Sequence, residues 1–164
     1  IMLAFIMRHG QAEERHEKGD PFRELTQAGR CSVEAVGESI ASFLTLDAIF
    51  ASPFVRTQET AQIIARSYSD ELTVFAELGL ASGQGARSYQ NVILEAGSFS
   101  KALFIGHMPE VAMLCELMTG DEKMAMLPFV PGSIALLSLK GGMKEILGFA
   151  QPPQIGELLR EIST

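Results

Sequence analysis

The chain has 164 residues, 47% of them apolar and 20% charged, and a formal net charge of −7. That size and composition exclude a disordered chain and suit one domain, residues 1–164, with its own buried core. The negative balance argues against nucleic acid and anionic membranes as partners, so a bound anion must be met by a local cluster of cations.

The N-terminal run to Met7 is apolar but far short of the roughly 18 residues of a membrane span. It has no basic segment before it and no cleavage site after it, so it reads as a buried strand, residues 2–7, ending at Arg8-His9-Gly10. Residues 11–25 are polar and read as a loop that passes through Asp20-Pro21. Thr26 caps a helix whose apolar stripe is Val33, Val36, Gly37, Ile40, Phe43 and Leu44. Ala48 to Ala51 is a second strand, followed by Ser52-Pro53 and a helical pattern from Val55 through Thr60, Ile63 and Ile64 to about Tyr68.

Leu72 to Leu78 reads as a third strand, Gly79 to Gly85 as loose chain, and Val92 to Leu94 as part of a weaker helix. Ala102 to Gly106 is a buried strand that ends at His107-Met108-Pro109, with a helix from Pro109 to Met118. Ser133 to Leu139 and Glu145 to Phe149 form a hairpin about Gly141-Gly142, and Ile155 to Ile162 is a closing helix. Cys31 and Cys115 lie far apart with no metal-ligand spacing, and read as reduced thiols of a cytoplasmic protein.

Alternating strands and helices predict an α/β three-layer sandwich, a mostly parallel central sheet flanked by helices. Such sheets place their sites beyond the carboxyl ends of the strands. Three strand ends carry Arg8 and His9, then Ser52 with Arg56, then His107, so two arginines and two histidines converge. A transferring phosphoryl group spreads negative charge over its equatorial oxygens, and catalysis there is mainly positioning and charge stabilisation. Arginine forks match those oxygens and stay protonated. A neutral imidazole at His9 can attack phosphorus, and His107 can donate a further hydrogen bond. Arg56 falls in a first helical turn, where the dipole disfavours a cation unless an anion offsets it. Gly10 leaves room for backbone to approach phosphate.

Arg8-His9-Gly10 after an apolar strand resembles the signature of the histidine phosphatase superfamily. Ser52-Pro53 with Arg56-Thr57 and Glu59-Thr60-Ala61 resembles its second motif, and Gly106-His107-Met108-Pro109 its third. The small size, the Gly-His-x-Pro form and Leu25-Thr26-x-x-Gly29 are most similar to the SixA-type phosphohistidine phosphatases. The matched stretches run in order from residue 3 to residue 110. The resemblance implies a phosphoglycerate mutase-like fold and a metal-independent phosphatase without cofactor. In it His9 is the nucleophile, passing through a covalent phosphohistidine, and Arg8, Arg56 and His107 form the phosphate pocket.

The chain departs from many relatives after the third strand, where it reads Glu77-Leu78-Gly79-Leu80 without the usual aromatic residue and second Glu. Glu77 is a candidate general acid or a solvated carboxylate. A general acid matters most for an alkoxide leaving group, so its weakening favours a phosphohistidine substrate. Only 29 residues separate Glu77 from His107, which leaves little room for a lid and suits a phosphorylated protein side chain. The expected substrate is therefore a phosphorylated protein such as a histidine-containing phosphotransfer domain, with phosphate ion as product. The alternatives are a small-molecule phosphomonoesterase or mutase, and a non-catalytic phosphate-binding module. Gln11, Ser52 and Arg23 are candidate phosphate or substrate contacts, each with a plain loop or turn role as the competing reading. His16 and Arg87 read as exposed.

Overall fold

The computed structural model describes residues 2–70 and 72–163; Ile1, Glu71 and Thr164 lie outside the described residues. One six-stranded sheet runs through the molecule. Its strands are β1 (Met2–Arg8), β2 (Ala48–Ala51), β3 (Val74–Ala76), β4 (Lys101–Gly106), β5 (Ile134–Lys140) and β6 (Met143–Ala150). Their order across the sheet is β3-β2-β4-β1-β5-β6. The β1–β4, β2–β4 and β2–β3 pairs are parallel, whereas β5 runs antiparallel to both β1 and β6. The sheet is thus parallel over four strands, with an antiparallel hairpin along one side.

Among the described residues five α-helices cover it: α1 (Gln27–Phe43), α2 (Val55–Ala65), α3 (Ala86–Glu95), α4 (Glu110–Thr119) and α5 (Ile155–Ser163). Successive side chains of a strand point to opposite faces, and β1 shows how this builds two cores. Ala4 and Ile6 join Tyr89, Val92 and Ile93 of α3 and Val111 and Leu114 of α4 on one face. Phe5 and Met7 join Val33, Val36 and Ile40 of α1, Ile64 of α2 and Leu159 of α5 on the other. Burial on both faces is why β1 is an unbroken apolar run rather than an alternating one. The three layers match the arrangement expected from the sequence.

Some element limits differ from expectation. The third strand shrinks from Leu72–Leu78 to three residues, Val74–Ala76, because Leu78 already opens a 3-10 turn through Leu80 that ends the extended chain. The second helix stops at Ala65, after which Ser67 and Tyr68 close turns onto Ile64 and Ala65. Pro109 caps α4 instead of opening it. The hairpin is tighter than read: Lys140 pairs with Met143, and both glycines between them have positive φ, 56° and 86°. Two left-handed residues in a two-residue turn match the natural strand twist and require residues without a Cβ penalty. Both cysteines are free, Cys31 exposed and Cys115 buried. No helix among the described residues is long and apolar enough to cross a membrane.

Candidate active site

The parallel register sets the site. Arg8 lies opposite Gly106, so the residues that follow, His9 and His107, leave adjacent strands side by side. The His9 amide donates to the Gly106 carbonyl at 3.1 Å, and the two imidazole rings lie 5.2 Å apart. Between them comes Arg56 from the first turn of α2, only 3% exposed. Four residues expected to converge from the sequence, Arg8, His9, Arg56 and His107, thus sit at one end of the sheet, and Ser52 joins them.

The hydrogen bonds fix the state of each ring. His9 Nδ1 lies 2.7 Å from the Gly10 carbonyl, which can only accept, so Nδ1 carries the proton. Its Nε2 is then a bare lone pair, and it accepts from Arg56 Nε at 3.2 Å. His107 Nδ1 faces Arg56 Nη2 at 3.3 Å and must accept, which leaves Nε2–H to donate to Ser52 Oγ at 2.8 Å. Both histidines are therefore neutral and held in opposite tautomers. Arg56 completes its contacts by donating from Nη1 to the Asp20 carbonyl at 2.8 Å and from Nη2 to Asp20 Oδ2 at 3.3 Å. Arg8 donates from Nη1 to the Phe129 carbonyl at 2.8 Å, and its buried Nε has no hydrogen-bond partner among the described residues.

The electrostatics follow from burial among cations. Burial, opposed by the hydrogen bond to Gly10 and reinforced by Arg56, Arg8 and Arg23, lowers the His9 pKa from 6.5 to about 4. Burial, then His9 and Arg56, lowers that of His107 to about 3. An unfolded chain takes up protons at both positions below pH 6.5, whereas the folded protein resists until about pH 4 at His9 and about pH 3 at His107. The stability these neutral histidines contribute is thus complete above pH 6.5 and lost as the pH falls through that window. Thermal melts from neutral pH down to about pH 4 should show a falling Tm, with a shallower slope in His107→Gln. A slope identical to wild type in that variant would contradict the assignment.

The remaining sequence candidates divide. Arg23 is drawn in: its Nε donates to the Glu13 carbonyl at 2.6 Å, and its Nη1 pairs with Asp20 Oδ1 at 2.9 Å. Ser52 holds His107 in place. Gln11 turns away, its Oε1 accepting from the Thr26 hydroxyl at 2.9 Å beside the start of α1. Gly10 has another role than the one expected. Its amide is already given to Thr60 Oγ1 at 3.1 Å, and a Cβ there would lie 2.5 Å from Val33 Cγ2. Gly10 is small so that the loop can pack on α1. Glu77 stays on the edge strand's side of the sheet, and its carboxylate has no hydrogen bond or ion pair among the described residues. Its amide donates to the Ala51 carbonyl at 2.8 Å, next to Ser52, so Glu77 follows β3 at the same end of the sheet without a side-chain contact to the cluster.

Several contributors had no role assigned to them by the sequence. Asp20, read only as loop, reaches Arg56 across 36 positions. Thr60 supports both Gly10 and the Arg56 carbonyl, to which its hydroxyl donates at 2.7 Å. The Tyr89 hydroxyl accepts from the His107 amide at 3.0 Å and donates to the Leu80 carbonyl at 2.6 Å. Phe54 packs edge-on against His107 at 4.9 Å, with the Arg56 guanidinium 5.2 Å above its ring. Glu59, within the second motif, is scaffold: it accepts from Leu25 N and pairs with Arg30 at 2.8 Å. Glu13, His16 and Glu24 also bring ligand atoms within 4.8 Å of one another, a grouping their spacing in the chain did not show. There His16 Nδ1 already accepts from the Lys18 amide at 3.0 Å.

Residues 4–80 match the model of the histidine phosphatase superfamily, branch 1. A phosphohistidine phosphatase SixA homolog of Haemophilus influenzae is 32% identical over 165 residues, covering 94% of this chain and 98% of that protein. The chain belongs to the histidine phosphatase superfamily, and its activity is that of a phosphatase. Its fold is also that of the protein histidine phosphatase SixA solved with tungstate, with a TM-score of 0.83 at 21% identity over 94% of this chain and 99% of that one. The alpha-ribazole phosphatase of Shigella flexneri shares the fold more distantly, with a TM-score of 0.75 at 14% identity over 92% and 97%.

Proposed function

We propose that this protein removes the phosphoryl group from phosphohistidine on another protein, through a covalent intermediate on His9 and without a metal. The observation that carries the reading is the state of His9: a neutral ring whose proton is held on Nδ1 by Gly10, with the Nε2 lone pair facing the guanidinium of Arg56. When a phosphoryl group takes over Arg56, that lone pair is released and faces phosphorus. Arg56, Arg8 with an Nε that has no partner among the described residues, and Arg23 supply fixed positive charge for the equatorial oxygens. His107 has its one proton on Ser52, so it donates to phosphate only after gaining a second at Nδ1, which an approaching anion favours.

The substrate class rests on the relative's activity and on what borders the site. The stretch from Leu78 to Gly106 is taken up by a single 3-10 turn, α3 and β4, so no inserted lid comes from it. Phe22 and Val130 are 47% and 41% exposed, and each adjoins a segment that contacts a site arginine. Exposed apolar residues beside a phosphate pocket suit a protein surface better than a free metabolite. A histidine-containing phosphotransfer domain has the required chemistry. The test is phosphate release from such a phosphorylated domain and from p-nitrophenyl phosphate, side by side. Clear preference for the protein in kcat/KM supports the reading; preference for the ester would move the protein to the small-molecule phosphatases.

A further inference from the structure

We propose that Asp20 is the proton-transfer residue of this phosphatase, donating to the leaving group as the phosphoryl group moves to His9. This rests on the reading of His9 as nucleophile. Asp20 is a carboxylate in direct contact with the cluster: Oδ2 pairs with Arg56 Nη2 at 3.3 Å and Oδ1 with Arg23 Nη1 at 2.9 Å. The Arg56 guanidinium contacts His9 Nε2 through Nε and Asp20 through Nη1 and Nη2, so the nucleophile and the carboxylate use different parts of one fork. In-line displacement sends the leaving group away from His9 Nε2. The side chain of Asp20 is 51% exposed, whereas His9 is 7% exposed, so this carboxylate reaches solvent from the cluster that buries His9.

The ion pairs also explain how the group is loaded. Partial burial favours the protonated carboxyl, but the Arg23 hydrogen bond and the charge of Arg56 outweigh it and hold the resting pKa low. Asp20 thus serves as a resident anion on the forks that phosphate needs. An incoming phosphoryl dianion takes Arg56 from it and adds like charge, so Asp20 gains a proton from solvent as the substrate binds. His9 Nε2 then forms a bond to phosphorus while the bond from phosphorus to the leaving oxygen or nitrogen breaks. The electron pair stays with the leaving atom, which takes the Asp20 proton. In the second step a water attacks phosphohistidine, its proton passes to the Asp20 carboxylate, and the P–N bond breaks with its electron pair returning to Nε2.

Leaving groups separate this role from a purely structural one. Wild type, Asp20→Asn and Glu77→Gln are compared on p-nitrophenyl phosphate and phenyl phosphate, which differ in the basicity of the departing oxygen. A lost proton donor harms the more basic leaving group more. Asp20→Asn is expected to raise the kcat/KM ratio of the nitrophenyl to the phenyl ester by about 100-fold, the lower end of what general acid catalysis supplies. Glu77→Gln should leave that ratio at the wild-type value. An equal loss on both esters in Asp20→Asn would overturn the proposal, since it would mark Asp20 as only a partner that positions Arg56. A ratio raised by Glu77→Gln instead would overturn it too. Failure of the nucleophile reading is distinct: His9→Ala would then retain activity on both esters.

Discussion

Replacing His9 with alanine is expected to lower kcat/KM by about 10⁴-fold or more, with protein that still folds. The size follows from what is removed. The covalent route needs a lone pair at this position, and the neighbouring nitrogen, His107 Nδ1, belongs to a ring anchored through Nε2 to Ser52. The His107 ring lies 5.2 Å from that of His9, so its lone pair does not stand where the lost one stood. The structural cost is smaller: the variant leaves the Gly10 carbonyl without its imidazole donor and opens a small cavity in place of a buried ring. An unsatisfied buried acceptor costs about 1–3 kcal/mol, which lowers Tm but leaves a domain of this size folded. Steady-state kinetics beside a thermal melt separates the two effects. A folded His9→Ala protein within tenfold of wild type would refute the role.

Arg56→Lys is expected to cost about 10²–10³-fold in kcat, the size of effect seen when one preorganised donor to a developing charge is removed. The charge is kept in this variant, so the loss measures the fork. Arg56 Nε, Nη1 and Nη2 reach His9, the Asp20 carbonyl, and Asp20 Oδ2 with His107, in one plane. A lysine ammonium is a single compact point and cannot satisfy these directions together. Arg56 also lies in the first turn of α2, where the helix dipole disfavours a cation, and Asp20 is the anion that offsets it. Activity of Arg56→Lys within about fivefold of wild type would show that charge alone suffices there.

The parts of the site legible in the sequence are those that strand ends dictate. A buried apolar run has to end where polar residues begin, and Arg8-His9, Ser52 and His107 stand at such ends. The sheet rule then brings them together without any knowledge of contacts. Arg56 was legible because a cation in a first turn is out of place unless an anion is near. Asp20 was not, because a lone aspartate in a charged loop has the same pattern whether it is solvated or folded back onto an arginine 36 positions on. The tasks of Tyr89 and of Thr60, although Thr60 stands within the second motif, are illegible for a related reason. Their hydroxyls serve amides 18 and 50 positions away, and nothing in helical periodicity marks which buried hydroxyl has such a task. A glycine beside a nucleophile suggests open backbone for phosphate, yet the missing Cβ of Gly10 faces Val33. The same sequence feature served packing.

The measurement that bears most directly on the central claim is trapping of the intermediate. Turnover of a phosphohistidine protein is stopped by rapid denaturation in alkali, which preserves phosphohistidine, and the enzyme is digested and mapped by mass spectrometry. The account predicts one phosphoryl group on His9, lost on acid treatment and absent from His9→Ala. Steady turnover with no phosphoryl group on His9 at any quench time, or with the group on another residue, would contradict it.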